Sequence, residues 1–159
     1  MHTLETKLGY VFHRPELLEN ALYHSSYANE HRGAGISSNE RLEFLGDAVL
    51  GFVTAEYLYT KHPDMPVGDL TRIRAALVCE ESLHEVAQYL GLGEYLRLGR
   101  GEELGGGRRR PSILADATES VFAAVYLDGG MDAARDLIHR VLLDKEQEEQ
   151  VEERRRDYK

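Results

Sequence analysis

One segment of the chain sets a few acids within a helical apolar pattern: Asn39-Glu40-Arg41-Leu42-Glu43-Phe44-Leu45-Gly46-Asp47-Ala48-Val49-Leu50. From position 42 to position 53 only Glu43 and Asp47 are ionisable, and every other residue is apolar or glycine. A helix that is apolar all round is expected to run through the core. Like charges at this spacing are costly there unless a cation neutralises them, so the pattern indicates a divalent metal site.

A second segment has the same character: Ser112-Ile113-Leu114-Ala115-Asp116-Ala117-Thr118-Glu119. At about 100° per residue, Glu40, Glu43 and Asp47 share one stripe of the first helix, and Asp116 and Glu119 are neighbours on the second. Each stripe continues into apolar residues. Two helices that change from acidic to apolar along one face are expected to pack together and to gather their acids in one pocket.

The ligands of such a site are all oxygen atoms, which Mg²⁺ or Mn²⁺ prefer. Helical di-iron sites use Glu-x-x-His pairs instead, and the seven histidines of this chain fall outside both acidic segments. A Mg²⁺ site only half filled by carboxylates has positions left for water and a phosphate group. This is the arrangement used in metal-assisted hydrolysis of phosphodiesters.

The composition is that of a single globular domain, with 159 residues of which 42% are hydrophobic and 30% charged. One cysteine, Cys79, excludes an internal disulfide and a multi-cysteine zinc site. No apolar run approaches the length that spans a membrane. We therefore expect a cytoplasmic protein with no membrane partner.

The net charge of −9 is unusual for a protein that binds nucleic acid, although a metal-dependent nuclease needs extra acids. Basic residues are concentrated in the flexible loop Gly105-Gly106-Gly107-Arg108-Arg109-Arg110, directly before the second acidic segment, and in the pair Arg72 and Arg74. Arg108 and Arg109 are candidate RNA-binding residues. A solvated surface loop is the alternative interpretation.

Apolar residues recur with helical spacing almost throughout the chain, and no strand pattern is present. The fold class is therefore all-α. Helices are predicted from Pro15, from an N-cap at Ser38 to about Lys61, from an N-cap at Asp69 over 70–90, from Pro111 to about Asp128, and in a last amphipathic segment from Ala133.

These residues resemble a known family. The segment Asn39–Leu50 is similar to the signature motif of the ribonuclease III family, and Ser112–Glu119 is similar to its second acidic motif. Tyr23–Glu30 resembles the segment before the signature, and Gly68–Val78 resembles the stretch between the motifs. The similarity covers about residues 5–145 in the right order.

The resemblance implies a helical homodimer with two active sites in one valley. Such an enzyme cleaves double-stranded RNA, in the processing of rRNA and mRNA, to 5′-phosphate and 3′-hydroxyl ends with short 3′ overhangs. Glu43, Asp116 and Glu119 are expected to bind catalytic Mg²⁺, for which Mn²⁺ can substitute. Asp47 is expected to complete the catalytic quartet through a water molecule.

The resemblance also assigns roles at the edge of this site. Glu40 is expected to engage the RNA. Phe44 matches the position that inserts into a socket on the partner subunit, and an ordinary core aromatic is the alternative. The chain departs from the family at Val67, where a glutamate is usual, and at Tyr23, where a threonine is usual.

Ten of the fourteen residues in 146–159 are charged, so this segment is expected to form a solvated helix extension or a linker after a catalytic domain over 1–145. Asp157-Tyr158-Lys159 resembles the opening of a double-stranded RNA-binding domain, so we expect the linker to lead into one.

Two other functions are compatible with parts of the pattern. A non-catalytic relative would use the same dimer as an RNA-binding or ribosome-assembly scaffold, but loss of the acids marks that class and all four are present. A helical metal-binding or oligomerisation module offers no reason for acids at the mouth of an apolar interface.

Overall fold

A computed structural model describes residues 1–144, and the predicted linker lies outside these described residues. Within them no strand forms, apart from an isolated bridge between Tyr23 and Arg97, so the all-α prediction is confirmed. No helix in this range is both long and apolar enough to cross a membrane. The α-helices are α1 (His2–Leu8), α2 (Pro15–Ala21), α3 (Ser25–Glu30), α4 (Glu40–Lys61), α5 (Val67–Leu77), α6 (Glu80–Leu90), α7 (Leu92–Tyr95), α8 (Arg100–Leu104) and α9 (Pro111–Ile138).

Helices α4 and α9 form the centre of the domain. Leu50 and Val53 of α4 and Phe122 and Val125 of α9 are buried in one shared core. At Gly46 the two helices touch, because a Cβ atom there would collide with the carbonyl oxygen of Glu119. A glycine at this position therefore lets the backbones meet next to the acids.

The prediction that α4 is buried all round is wrong for one of its faces. Phe44, Phe52 and Tyr59 are 82%, 52% and 77% exposed, whereas Leu50 and Leu58 on the other face are buried. Within residues 1–144 the helix packs on the other elements with one side only. Its second apolar face is a surface, and the sequence pattern alone does not distinguish a covered face from an open one.

The single helix predicted over 70–90 is two helices, α5 and α6, with a break at Val78 and Cys79. Cys79 has an extended backbone, and both its thiol and the Ser82 hydroxyl donate to the carbonyl oxygen of Ala76. These side chains satisfy a carbonyl at the end of α5 that would otherwise lack a partner. The break carries no proline or glycine, so it leaves no strong mark in the sequence.

The observed N-cap positions of α4 and α5 lie one and three residues away from the predicted ones. Helix α4 has Asn39 at its N-cap position, and the hydroxyl of Ser38 accepts a hydrogen bond from the Glu40 amide at 3.3 Å. Helix α5 begins directly after Pro66, so Asp69 lies within its first turn. The predicted end of α9 near Asp128 corresponds to Gly130, where φ is 86° and the helical path is interrupted before it resumes.

Candidate active site

The four predicted catalytic acids meet at one cavity of about 530 Å³. Carboxylate oxygens of Glu43, Asp116 and Glu119 all lie within 4.8 Å of one another. Asp47 lines the same cavity. The lining residues are His24, Ser25, Asn39, Glu40, Glu43, Phe44, Asp47, Ile113, Asp116 and Glu119.

Helical spacing and one close contact between backbones produce this arrangement. Glu43 and Asp47 are one turn apart on α4, and Asp116 and Glu119 are one turn apart on α9. Because the helices touch at Gly46, Glu43 lies within hydrogen-bonding reach of Asp116, and Asp47 within reach of Glu119. The acids form two pairs, each of which joins α4 to α9.

Burial and mutual repulsion disfavour the charged forms of these acids. Burial, followed by the contact with Asp47 and the charges of the other acids, raises the pKa of Glu119 to about 8. Burial and the neighbouring Asp116 raise the pKa of Glu43. Burial also raises the pKa of Asp116. The cluster therefore accumulates negative charge poorly by itself.

No arginine or lysine within residues 1–144 forms an ion pair with any of the four acids. Only Glu43, Asp116 and Glu119 in that range form a cluster with the proximity that one metal ion requires. Three convergent carboxylates without an internal cation suit a hard divalent ion, which would supply the missing positive charge. The residues present thus fit the metal that the sequence predicts.

Asn39 fixes the start of α4 beside this cavity. Its side-chain amide donates to the carbonyl oxygen of Ala21 at 2.9 Å, and its own carbonyl oxygen accepts from the Ser120 hydroxyl at 3.2 Å. Asn39 is only 6% exposed. It connects α2, α4 and α9, so it holds the two acid-bearing helices in register.

The structure separates the three predicted RNA-binding residues. Glu40 is exposed and lines the acid cavity. Arg108 lies away from that cavity, and its guanidinium donates to Glu103 and to the carbonyl oxygens of Gly93 and Leu96. Arg108 is therefore anchored, and the expectation of an open flexible loop is wrong at this residue.

Arg109 is exposed and has no ion pair within the described part of the chain. It does not line the acid cavity. An RNA-binding role for Glu40, Arg108 and Arg109 stays a prediction.

Phe44 lines the acid cavity and exposes 82% of its surface. The alternative of an ordinary core aromatic is therefore wrong. Its predicted role in a dimer interface is compatible with this position and stays a prediction.

Sequence reasoning missed His24, which also lines the cavity. No rule of spacing connects His24 on the chain before α3 with Glu43 on α4. The one available signal was the resemblance of Tyr23–Glu30 to the family, which marks the segment without assigning a role to its residues.

Residues 14–146 match the family model described as Ribonuclease-III-like. The chain is 50% identical over 142 residues to Ribonuclease 3 of Listeria innocua, covering 89% of this chain and 62% of that protein. It is 54% identical over 135 residues to Ribonuclease 3 of Desulforamulus reducens, covering 85% and 55% respectively. The chain thus spans about three fifths of the length of these relatives.

The structure is similar to the solved nuclease domain of ribonuclease III from Campylobacter jejuni, with a TM-score of 0.82 at 42% identity. The match covers 87% of this chain and 93% of that domain, in which a region involved in dimer formation is structurally flexible. Sequence and fold agree over nearly the same residues. The chain belongs to the ribonuclease III family.

Proposed function

We propose that residues 1–145 form the catalytic domain of a metal-dependent endonuclease that hydrolyses double-stranded RNA. One observation carries this proposal: oxygens of Glu43, Asp116 and Glu119 converge within 4.8 Å in an open cavity, and no lysine or arginine of residues 1–144 forms an ion pair with them. The names of the relatives support the same reaction class. The proposed products have 5′-phosphate and 3′-hydroxyl ends with short 3′ overhangs.

Glu43, Asp116 and Glu119 would hold Mg²⁺, with Mn²⁺ as a substitute, and Asp47 would complete the site beside Glu119. When bound, the ion supplies positive charge for the phosphate and Lewis acidity for the hydrolysis. The protein supplies the positions of the ligands. Gly46 holds Glu119 against α4, and Asn39 holds α4 against α9, so the acids keep their spacing.

We also propose that the domain works as a homodimer. Phe44, Phe52 and Tyr59 make the open face of α4 apolar, and Phe52 and Tyr59 line a shallow groove together with Val67 of α5. Val67 is itself 78% exposed. An exposed apolar face of this kind marks an interaction surface. A second copy would cover it and place two cavities on one assembly, one for each RNA strand.

The direct test of the catalytic proposal is cleavage of a long RNA duplex at low salt with Mg²⁺. We expect cleavage that EDTA stops, and loss of cleavage in Glu119→Gln. Glu85→Gln, which changes an exposed acid of α6, is the matched control and should cleave like the wild type. Binding of the duplex without cleavage would favour the scaffold function. Equal cleavage of single-stranded RNA would contradict specificity for the duplex.

The dimer is tested separately by sedimentation of Phe44→Ala. Removing a large aromatic side chain from an interface weakens association, so we expect a shift towards monomer with little change in the melting temperature of the subunit. Leu104→Ala, which truncates another exposed apolar residue, is the control. A wild-type chain that sediments as a monomer at every concentration would contradict the proposal. Processing of rRNA and mRNA and a cytoplasmic location stay predictions.

A further inference from the structure

The imidazole of His24 is held by a chain of hydrogen bonds that starts at the backbone of Gly99. The Gly99 amide donates to the Ser26 hydroxyl oxygen at 2.8 Å. Because that oxygen already accepts a hydrogen bond, the Ser26 hydroxyl can donate its own hydrogen to His24 Nδ1, which lies 2.8 Å away. The Ser26 amide also donates to Nδ1, at 3.1 Å.

These contacts determine the tautomer of His24. Its Nδ1 is an acceptor for two donors, so the ring hydrogen of the neutral imidazole lies on Nε2. Nε2 has no hydrogen-bond partner among residues 1–144. His24 lines the acid cavity together with Asp116. His24 therefore supplies an N–H donor to a cavity whose other ionisable groups are carboxylates.

The segment that carries His24 is firmly anchored. The His24 amide donates to the carbonyl oxygen of Arg97 at 3.1 Å, next to the isolated bridge between Tyr23 and Arg97. Gly99 allows this close approach, because a Cβ atom there would collide with Glu30 and with the backbone of Ser26. The donor is fixed before any ligand arrives, and a fixed donor loses little by reorganisation when charge develops nearby.

Few other donors line the cavity. They are the Ser25 hydroxyl and the amide of Asn39, which already donates to the carbonyl oxygen of Ala21. Glu43, Asp47, Asp116 and Glu119 can only accept once they are ionised. An RNA phosphate that enters between them needs a donor for the oxygens that the metal does not neutralise, and a neutral imidazole supplies one without adding a cation that competes with the metal.

We propose that His24 is a substrate-contacting residue whose Nε2–H donates a hydrogen bond to a non-bridging oxygen of the scissile phosphate, and that Ser26 is its positioning residue. This inference rests on the proposed function of the site. It assigns metal binding to the acids and phosphate binding to His24, so the two roles can be separated by mutation.

The experiment compares kcat and KM for duplex cleavage in His24→Ala, His24→Gln and Ser26→Ala. A hydrogen bond to a charged group is worth enough that His24→Ala should lower kcat/KM by about 10- to 100-fold. Glutamine can place an amide N–H near the position of Nε2, so His24→Gln should recover part of the loss. Ser26→Ala should lose less than His24→Ala. His2→Ala, at an exposed position of α1, is the matched control.

A second readout separates phosphate binding from metal binding. The rise in melting temperature on addition of Mn²⁺ should be the same in His24→Ala as in the wild type. Loss of that rise would make His24 part of the metal site and overturn the proposal, as would cleavage by His24→Ala at the wild-type rate. If His24→Ala does not fold, His24→Leu, which fills more of the space but has no donor, takes its place, and wild-type activity in that variant overturns the proposal.

Cleavage of duplex RNA by the wild type shows whether the proposed function itself holds. If the wild type binds duplex RNA without cleaving it, the duplex affinities of Glu119→Gln and of the double variant Glu119→Gln/His24→Ala are compared. The difference measures whether His24 contacts the phosphate. A loss of about tenfold on adding His24→Ala supports this contact. Equal affinities overturn it.

Discussion

Two shielded carboxylates on α9 have opposite surroundings. Glu119 is 9% exposed and faces other acids, whereas the side chain of Asp128 is fully shielded and faces donors. Burial, the contact with Asp47 and the nearby acids raise the pKa of Glu119 to about 8. Burial alone would raise the pKa of Asp128, but hydrogen bonds from Tyr10, His13 and Arg14 outweigh it and lower that pKa to about 2.

The difference distinguishes an acid whose charge is balanced by hydrogen-bond donors of the described chain from one whose charge is not. Asp128 accepts from the Tyr10 hydroxyl at 2.6 Å and from the backbone amides of His13 and Arg14 at 2.9 and 2.8 Å. Its charge is satisfied within the chain and fastens the N-terminal segment to α9. Within residues 1–144 no such donor is recorded for Glu119, so its charge is left for a bound cation to balance.

The strongest test of this contrast is catalysis by Glu119→Gln. Glutamine keeps the shape of the side chain but removes a negative metal ligand, so duplex cleavage in Mg²⁺ should fall by about a thousandfold or more. The apo protein should remain folded, because the substitution relieves repulsion among the acids. Rates are compared under single-turnover conditions. Near-wild-type cleavage by this variant would contradict the assignment of Glu119 to the active site.

The reverse outcome is expected at Asp128. Asp128→Ala leaves the Tyr10 hydroxyl and two backbone amides without their acceptor, which should cost about 1–3 kcal/mol in the free energy of unfolding. Below the melting temperature, cleavage per folded molecule should be nearly unchanged. Urea unfolding gives the first quantity and initial rates the second. A variant as stable as the wild type would show that the hydrogen bonds to Asp128 do not stabilise the fold.

Asp132→Ala is the matched control for that variant. Asp132 is fully exposed and pairs with Arg135, and an exposed pair of this kind contributes about 0–1 kcal/mol. A loss of stability equal to that of Asp128→Ala would mean that shielding has no bearing on the cost.

Much of the fold follows from local patterns that the sequence displays. Helical periodicity predicted an all-α domain, and the acidic stripes of α4 and α9 predicted that the two helices pack together. Two features were not predictable in this way. The break between α5 and α6 depends on hydrogen bonds from Cys79 and Ser82 to Ala76, and the open face of α4 depends on which of two apolar faces the rest of the chain covers.

The candidate site likewise contains residues that the sequence predicts and residues that it does not. Glu43, Asp47, Asp116 and Glu119 were predictable because helical spacing places each pair on one face. The approach of the pairs depends on Gly46, whose importance becomes visible only when the helices are seen to touch. His24 was not predictable, because it reaches the cavity through the tertiary contacts of Ser26 with Gly99. Arg108 was expected in an open loop. Its anchoring could not be predicted, because its partners Gly93 and Leu96 lie 15 and 12 residues away in the sequence.

Addition of metal to the apo protein is expected to stabilise the folded state. An ion that binds only the folded state stabilises it by mass action, by about 2.7 kcal/mol at a concentration of 100 Kd. Mn²⁺ should therefore raise the melting temperature of the wild type, and Asp116→Ala should reduce that rise. Asp128→Asn should start from a lower melting temperature but show the full rise. A melting temperature unmoved by millimolar Mn²⁺ would contradict a preformed metal site.

The pH dependence of apo stability separates the two acids by sign. Because the pKa of Glu119 is raised from 4.5 to about 8 in the folded chain, its contribution is fully present below about pH 4.5 and is lost as the pH rises towards 8. Because the pKa of Asp128 is lowered from 3.8 to about 2, its contribution is present above about pH 4 and is lost as the pH falls towards 2.

Melting temperatures measured in EDTA from pH 3 to pH 9 test this difference. Glu119→Gln should match the wild type near pH 5 and exceed it near pH 8, where 1 kcal/mol corresponds to about 2–4 °C in a domain of this size. Asp128→Asn should fall below the wild type near pH 7 and approach it at the acidic end. Mn²⁺ should remove the advantage of Glu119→Gln at pH 8, because the ion stabilises the ionised acids of the wild type. Parallel profiles for the wild type and both variants would show that the two carboxylates do not differ in the way their surroundings indicate.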